Sequence, residues 1–474
     1  MSNFVKQLCK DEKDVMIGGV MASILPDQIE AATGIRPYVG TLSTPGQLDP
    51  GNDMIIDTLP LDYSILEEIE YVYPANDGYL AYMTRGCINR CSFCAVPKLE
   101  PEYKDYLPIA MQIQYTNERF GGKKDLLLLD NNVLASCQYN LIIDEIKSAG
   151  FTVGSTFVAP NMFEVAVKNL REEYNVRAYL KTVVRQYKLL IEKYGEKIQD
   201  IYDLLEDKAL LNDYTARVDA VLDTYETVKP WFEEFYSNKK GRRRFVDFNQ
   251  GIDSRLINDD NMKKMHEIPV KPLRIAFDHW ELRDIYIEAV KAAARNGHNN
   301  LSNYVLYNYK DKPVELYWRL RLNVQLCEDL GVSIYSFPMK YHPIEDPKYF
   351  SNRDYIGKYW NRKYIRTIQA ILNSTKGKVG KGKAFFEKAF GKDEEEFYKL
   401  LLMPEQMIIY RSFFENNGLV DDWWNEYCKL SDNQKDLITP IINSSNFENY
   451  EDTISDPECL KTLSYYRLRR ADFD

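Results

Sequence analysis

The sequence predicts an α/β fold built on a parallel sheet, closed or nearly closed into a barrel, and three observations lead there. Strand-like apolar runs alternate with helical patterns from Tyr79 to Phe337, as repeated βα units do. Polar residues stand where several of those runs end. Two long stretches without strand character lie inside and after the alternating region.

The runs fall at residues 79–84, 125–129, 151–153, 245–248, 273–277, 303–306 and 332–337. The second, DLLLL, is continuously apolar and suits a strand buried on both faces. Ahead of them, residues 16–20 and 54–56 read as strands flanking a helix over 23–33. Residues 1–75 are therefore expected to form a small α/β segment, with the barrel over 76–343. Residues 161–237 carry apolar side chains at helical spacing and read as a helical insertion in the barrel. Strand patterns stop after Pro343, so residues 344–474 read as a helical C-terminal domain, clearest at 364–372 and 395–402.

At 474 residues the chain exceeds what one hydrophobic core fills. Its net charge of −10 argues against a protein that coats nucleic acid, although a local basic patch can still hold it. No apolar run approaches the 18 or more residues of a membrane span, and the first residues lack the apolar stretch of a signal peptide. A cytoplasmic enzyme is expected.

Eight cysteines occur, and three of them, Cys87, Cys91 and Cys94, fall within eight residues. A disulfide framework would be denser and in a shorter, secreted chain. A zinc site would pair CxxC with a second CxxC or a histidine pair, and His266, His279, His298 and His342 form no such pair. Three thiolates at spacings of four and three suit one corner of an iron–sulfur cubane, whose full cysteine set is four. The iron left over is open to an outside ligand, as a catalytic rather than a structural metal is. The other five, Cys9, Cys137, Cys327, Cys428 and Cys459, show no CxxC spacing and read as ordinary thiols.

The segment Thr84-Arg-Gly-Cys87-Ile-Asn-Arg-Cys91-Ser-Phe93-Cys94, following a strand, resembles the CxxxCxxC signature of radical S-adenosylmethionine (SAM) enzymes. The resemblance implies a [4Fe–4S] cluster on the three cysteines, with SAM chelated to the open iron beside Phe93. It implies reductive cleavage of SAM to methionine and a 5′-deoxyadenosyl radical, which takes hydrogen from substrate. An external electron donor resembling flavodoxin or ferredoxin follows. A non-catalytic Fe–S protein is the alternative from another class. Asp130-Asn131-Asn132, at the end of the second strand, occupies the place where many members bind the SAM amino group. The common form there is a Gly-Gly-Glu type, and DNN is closer to relatives with a cobalamin-binding-like domain.

Gln250, Asp253 and Arg255 follow the 245–248 run. Polar groups at the C-terminal ends of barrel strands face the active side. The resemblance places Gln250 and Asp253 at the SAM ribose and Arg255 at its carboxylate; a surface pair or helix cap is the other reading of Asp253 and Arg255. Asn308 and residues 337–341 are weaker candidates of the same type. The wording of the cysteine motif is close to methylthiotransferases, which modify tRNA or ribosomal protein. Their cysteine-bearing N-terminal domain and β-rich C-terminal domain have no counterpart here. The Asp-x-His-x-x-Gly signature of cobalamin binding is also missing, and no cobalamin is expected. A nucleic-acid substrate is therefore not favoured over a small molecule or peptide.

Two basic stretches remain. Residues 239–244 (KKGRRR) read as a solvated turn, with a phosphate or nucleic-acid contact as the alternative. Residues 377–384 nearly match a phosphate-binding loop, but Ala384 replaces the Ser/Thr and no strand precedes it. If the C-terminal domain closes the substrate pocket, Lys376, Lys378, Lys381 and Lys383 lie near its entrance, and the substrate is anionic.

Overall fold

The computed structural model describes residue 7 and residues 15–49, 51–69, 71–349 and 352–473. Strands β1 (Gly78–Ala81), β2 (Asp125–Leu128) and β5 (Val246–Phe248) form one parallel sheet in the order β1-β2-β5. Strands β6 (Leu273–Arg274), β7 (Asn300–Tyr307) and β8 (Ser333–Lys340) form a second, also parallel. Isolated parallel bridges join the two, Val246 to Val270 and Ile252 to Ile275. The Ile252 N–H donates to the Arg274 carbonyl at 2.8 Å, and the Ala276 N–H to the Ile252 carbonyl at 2.9 Å.

The side-chain period of two decides what each strand buries. In β2, Leu126 and Leu128 are fully buried while Leu127 is half-buried, so the DLLLL run has one dry face rather than two. The dry side joins one core with Ile142, Ile143 and Ile146 of the helix Tyr139–Ser148, and with Met262, Met265, Tyr286, Val290 and Ala293 from two later helices. This is the main core.

The run at 151–153 is not a strand. Gly150 and Gly154 turn the chain on either side with φ of +89° and +84°, and Phe151 is buried in the bend with the Arg244 guanidinium 3.7 Å from its ring centroid. Pairing falls instead on β3 (Thr156–Phe157), antiparallel to β4 (Arg242–Arg243). That short ladder clamps the root of the helical insertion. The insertion has its own core, in which Phe163 stacks on Phe232 at 4.1 Å between the helices Met162–Arg171 and Val218–Ser237.

The N-terminal strands expected at 16–20 and 54–56 are also absent. The described residues before β1 hold helices Val20–Ile24, Pro26–Thr33 and Ile65–Glu68 and a single 3-10 turn, Ile56–Thr58. An extended segment needs a neighbour for its backbone N–H and C=O groups, and among the described residues no strand flanks these two. Cys9 lies outside the described residues.

The C-terminal region is helical, beginning with Arg362–Ser374, and packs on the sheet region. Its core is continuous with Val305 and Tyr307 of β7 and with Tyr317 and Leu320 of the helix Pro313–Leu330. Among the described residues no helix is long and apolar enough to cross a membrane.

Candidate active site

The cysteine loop leaves β1 through a junction locked by one buried carboxylate. Asp130, 1% exposed at the end of β2, accepts the Met83 N–H at 3.1 Å, the Thr84 hydroxyl at 2.7 Å and the Thr84 N–H. Burial pushes its pKa up to about 6, with the hydrogen bonds acting the other way. Asp130 is thus a loop anchor.

The Thr-Arg-Gly before the first cysteine has a mechanical explanation. Arg85 lies 4.0 Å over the Tyr82 ring and pairs with Asp57 at 3.0 Å and Glu100 at 2.7 Å. The other Glu100 oxygen accepts the Gly86 N–H at 2.7 Å. Gly86 has φ of +72°, and a β-carbon there would stand 2.4 Å from the Glu102 carbonyl oxygen, so only glycine fits.

Beyond this point the three cysteines are half-buried and line one cavity of about 200 Å3. The backbone N–H of Asn89 donates to Cys87 Sγ and that of Val96 to Cys94 Sγ, both at 3.4 Å. N–H donors on sulfur are among the features that tune an Fe–S centre. Burial, with the neighbouring sulfurs adding to it, raises the Cys91 and Cys94 thiol pKa values. Among the described residues no three His, Cys, Asp or Glu side chains stand together as ligands of a single ion. A cubane makes a different demand, since each thiolate holds a different iron and the sulfurs stand further apart.

The six leading cofactor candidates read from the sequence line the same cavity: Phe93, Asn131, Asn132, Gln250, Asp253 and Arg255. They come from the cysteine loop and from the segments after β2 and β5. Asn132 is buried, its Nδ2 faces Cys87 Sγ at 3.8 Å, and its Oδ1 has no partner. Asn131 is committed elsewhere, donating to Glu100 at 3.0 Å. Arg255 grips Asp253 in a fork, Nε to Oδ1 at 2.8 Å and Nη2 to Oδ2 at 2.7 Å, and Asn89 donates to the same carboxylate at 2.8 Å. Burial opposes the charge on Asp253, but these bonds outweigh it and hold the carboxyl below its ordinary range. Asp253 also caps the short turn Ser254–Leu256, accepting the Arg255 N–H. The capping pair and the cavity position are therefore both real.

Phe93 packs edge-on against His279 and Tyr309, each 5.8 Å away, and Ser92 shares a 2.6 Å hydrogen bond with the Tyr309 hydroxyl. These contacts fix the loop to the ends of β6 and β7.

Several expectations shift. Asn308 is fully buried and ties the end of β7 to Tyr341, Tyr355 and Gly357; neither it nor residues 337–341 line the cavity. No residue of the insertion or of the C-terminal helices lines it either. The loop of Lys376, Lys378, Lys381 and Lys383 pairs instead with the middle of β8, through Val379 and Ser336. Lys381 acts electrostatically on Cys327, which accepts the Ile334 N–H near the start of β8. None of these lysines lines the cavity, and the loop's contact is with the edge of β8. In the 239–244 stretch Arg244 is structural, donating to the Lys123, Lys124 and Gly150 carbonyls.

Sequence reading missed Asn89 and Asp278. Asp278 lines the cavity just after the 273–277 run, so the strand-end rule would have selected it. Burial raises its carboxyl pKa, against the pull of His279 and Arg319. The sequence matches no protein-family model and no curated protein.

Proposed function

We propose that this chain is a radical SAM enzyme whose Cys87, Cys91 and Cys94 hold a [4Fe–4S] cluster. We read the six parallel strands β1, β2, β5, β6, β7 and β8 as a partial barrel with its working face at their C-terminal ends. The observation that carries the reading is convergence. Three cysteines and six residues chosen for SAM, spread over some 170 positions, line one cavity.

The donor set fits the group. Three thiolates leave one iron of a cubane open, and two of the sulfurs already accept backbone N–H bonds. When bound, the cluster supplies the electron for reductive cleavage of SAM; the protein's part is to bind, orient and exclude water. Asn132 Oδ1 is a buried acceptor without a donor, which suits the SAM ammonium. Asp253 holds the Nε–Nη2 edge of the Arg255 guanidinium and leaves Nη1 for a carboxylate. Gln250 and Asp253 stand at the cavity wall for ribose hydroxyls, while Phe93, Ile252 and Leu282 supply apolar wall.

Arg255→Ala should raise the SAM dissociation constant roughly tenfold or more, the scale of a lost charged hydrogen bond. The visible spectrum of the cluster should stay as in the wild type. Equilibrium dialysis with labelled SAM measures this, and unchanged affinity would remove Arg255 from the site.

Activity tests the reading as a whole. Anaerobically reconstituted protein given dithionite and SAM should release 5′-deoxyadenosine and methionine in equal amounts. A cluster-loaded protein that leaves SAM intact is the non-catalytic Fe–S alternative.

A further inference from the structure

Beside the cavity lies a strand face that the cofactor reading does not use. Arg274, Ala276 and Asp278 alternate along the extended chain at β6, so they share one side. Ala276 and Asp278 line the cavity, which puts Arg274 on the same face one step further from the cysteines. Across β7 and β8 that face is aromatic. Tyr304 stands opposite Phe337 in the strand register, with ring centroids 5.8 Å apart. The Arg274 guanidinium lies 5.7 Å from the Tyr304 ring and 3.4 Å from its hydroxyl. Tyr335, two residues before Phe337, has the Lys378 ammonium 5.5 Å over its ring.

Burial separates the two sides of these strands. Leu301, Val305, Tyr307 and Ile334 are buried on the helix side, whereas Tyr304 is 38% exposed and Met339 49%. The charges are equally uneven. Arg274 is neutralised by two bonds to Asp247, at 2.9 and 2.8 Å. Lys376, Lys378, Lys381 and Lys383 form no ion pair within the described residues, in a chain whose net charge is −10. Paired backbone bonds between Val379 and Ser336, 2.7 and 2.8 Å long, hold this cationic loop against the edge of the aromatic face.

Exposed Tyr304 beside half-buried Phe337 offers an aromatic surface to a planar ring, and such stacking tolerates any base. Unpaired ammonium groups at its edge call for an anion. We propose that this face binds a nucleotide, its base stacked on Tyr304 and Phe337 and its phosphate at Lys378. Through Ala276 and Asp278, which share the side of Arg274, the face adjoins the cavity wall, so the nucleotide is the substrate class of the proposed radical SAM reaction. This assignment rests on that reading, but binding to the face does not. The nucleotide is either free or one residue of a single strand.

Equilibrium binding to the full chain, with SAM in excess to fill its own adenine site, tests this. Cytidine monophosphate should bind more tightly than cytidine, and both more tightly than inorganic phosphate. Tyr304→Ala should weaken cytidine monophosphate and cytidine roughly tenfold or more, as loss of a stacking ring does. Tyr304→Phe keeps the ring and should bind as the wild type, which separates stacking from misfolding. Lys378→Ala should weaken the monophosphate and leave cytidine unchanged. A single-stranded tetranucleotide binding more than about tenfold tighter than the monomer assigns a polymer; equal affinity assigns the free nucleotide, and both outcomes support the site. Equal binding of cytidine monophosphate and phosphate, or no effect of Tyr304→Ala, overturns it. Cys91→Ala protein, without its cluster, should still bind the nucleotide. If that binding holds while SAM cleavage fails in the wild type, only the reaction reading falls.

Discussion

Replacing Cys87, Cys91 or Cys94 singly with alanine is expected to abolish the [4Fe–4S] cluster, whereas Cys327→Ala is expected to keep it. In the proposed cluster three thiolates serve four irons, so each removal would open a second iron to solvent and leave the cluster on two ligands. None of the other described cysteines lines the cavity. Cys327 is buried and accepts the Ile334 N–H, Cys137 is exposed and donates to Asp105 at 2.7 Å, and Cys459 faces the Gln434 carbonyl. Iron and sulfide content with the visible absorption, after anaerobic reconstitution, reports the outcome. Full iron content in Cys91→Ala would refute the assignment. Alanine at 91 deletes a half-buried thiol with no hydrogen bond to the fold, so lost iron in that variant is not a folding defect.

Asp130→Ala should be the most destabilising single change near the site. It strands the Met83 N–H, the Thr84 N–H and the Thr84 hydroxyl, all buried, at about 1–3 kcal/mol for each unsatisfied group. A loss of roughly 3 kcal/mol or more is expected in chemical denaturation, with poor cluster loading, because this junction aims the cysteine loop. The pH dependence is as informative. The native pKa of Asp130, about 6, lies above the ordinary carboxyl value, so the folded state holds its proton more tightly than the unfolded chain. Its stabilising contribution is complete below about pH 4 and is lost as pH rises through 6, some 3 kcal/mol over that window. Asp130→Asn keeps an acceptor oxygen for the same donors and should flatten that slope. A slope unchanged in the asparagine variant would place the titration on another group.

The six parallel strands were legible because their apolar runs are bounded by helical patterns. The cysteine motif and the polar residues after β2 and β5 were legible because they sit at strand ends, where a βα fold gathers its chemistry. Residues 151–153 misled for a physical reason: an apolar residue in a glycine-bounded bend has the composition of a strand without a ladder partner. The N-terminal segment failed in the same way. Asp130 looked like a ligand because of its position, and only its three donors show it to be an anchor. The lysine loop could not be placed from sequence, since its position depends on one long-range backbone pairing, Val379 with Ser336.

The central claim, a cluster with one iron open to SAM, is tested most directly by electron paramagnetic resonance of the dithionite-reduced protein with and without SAM. Coordination at the open iron predicts that SAM shifts the g-values and line shape of the reduced [4Fe–4S] signal. An identical spectrum with saturating SAM, or no cluster signal in protein that carries all three cysteines, would contradict it.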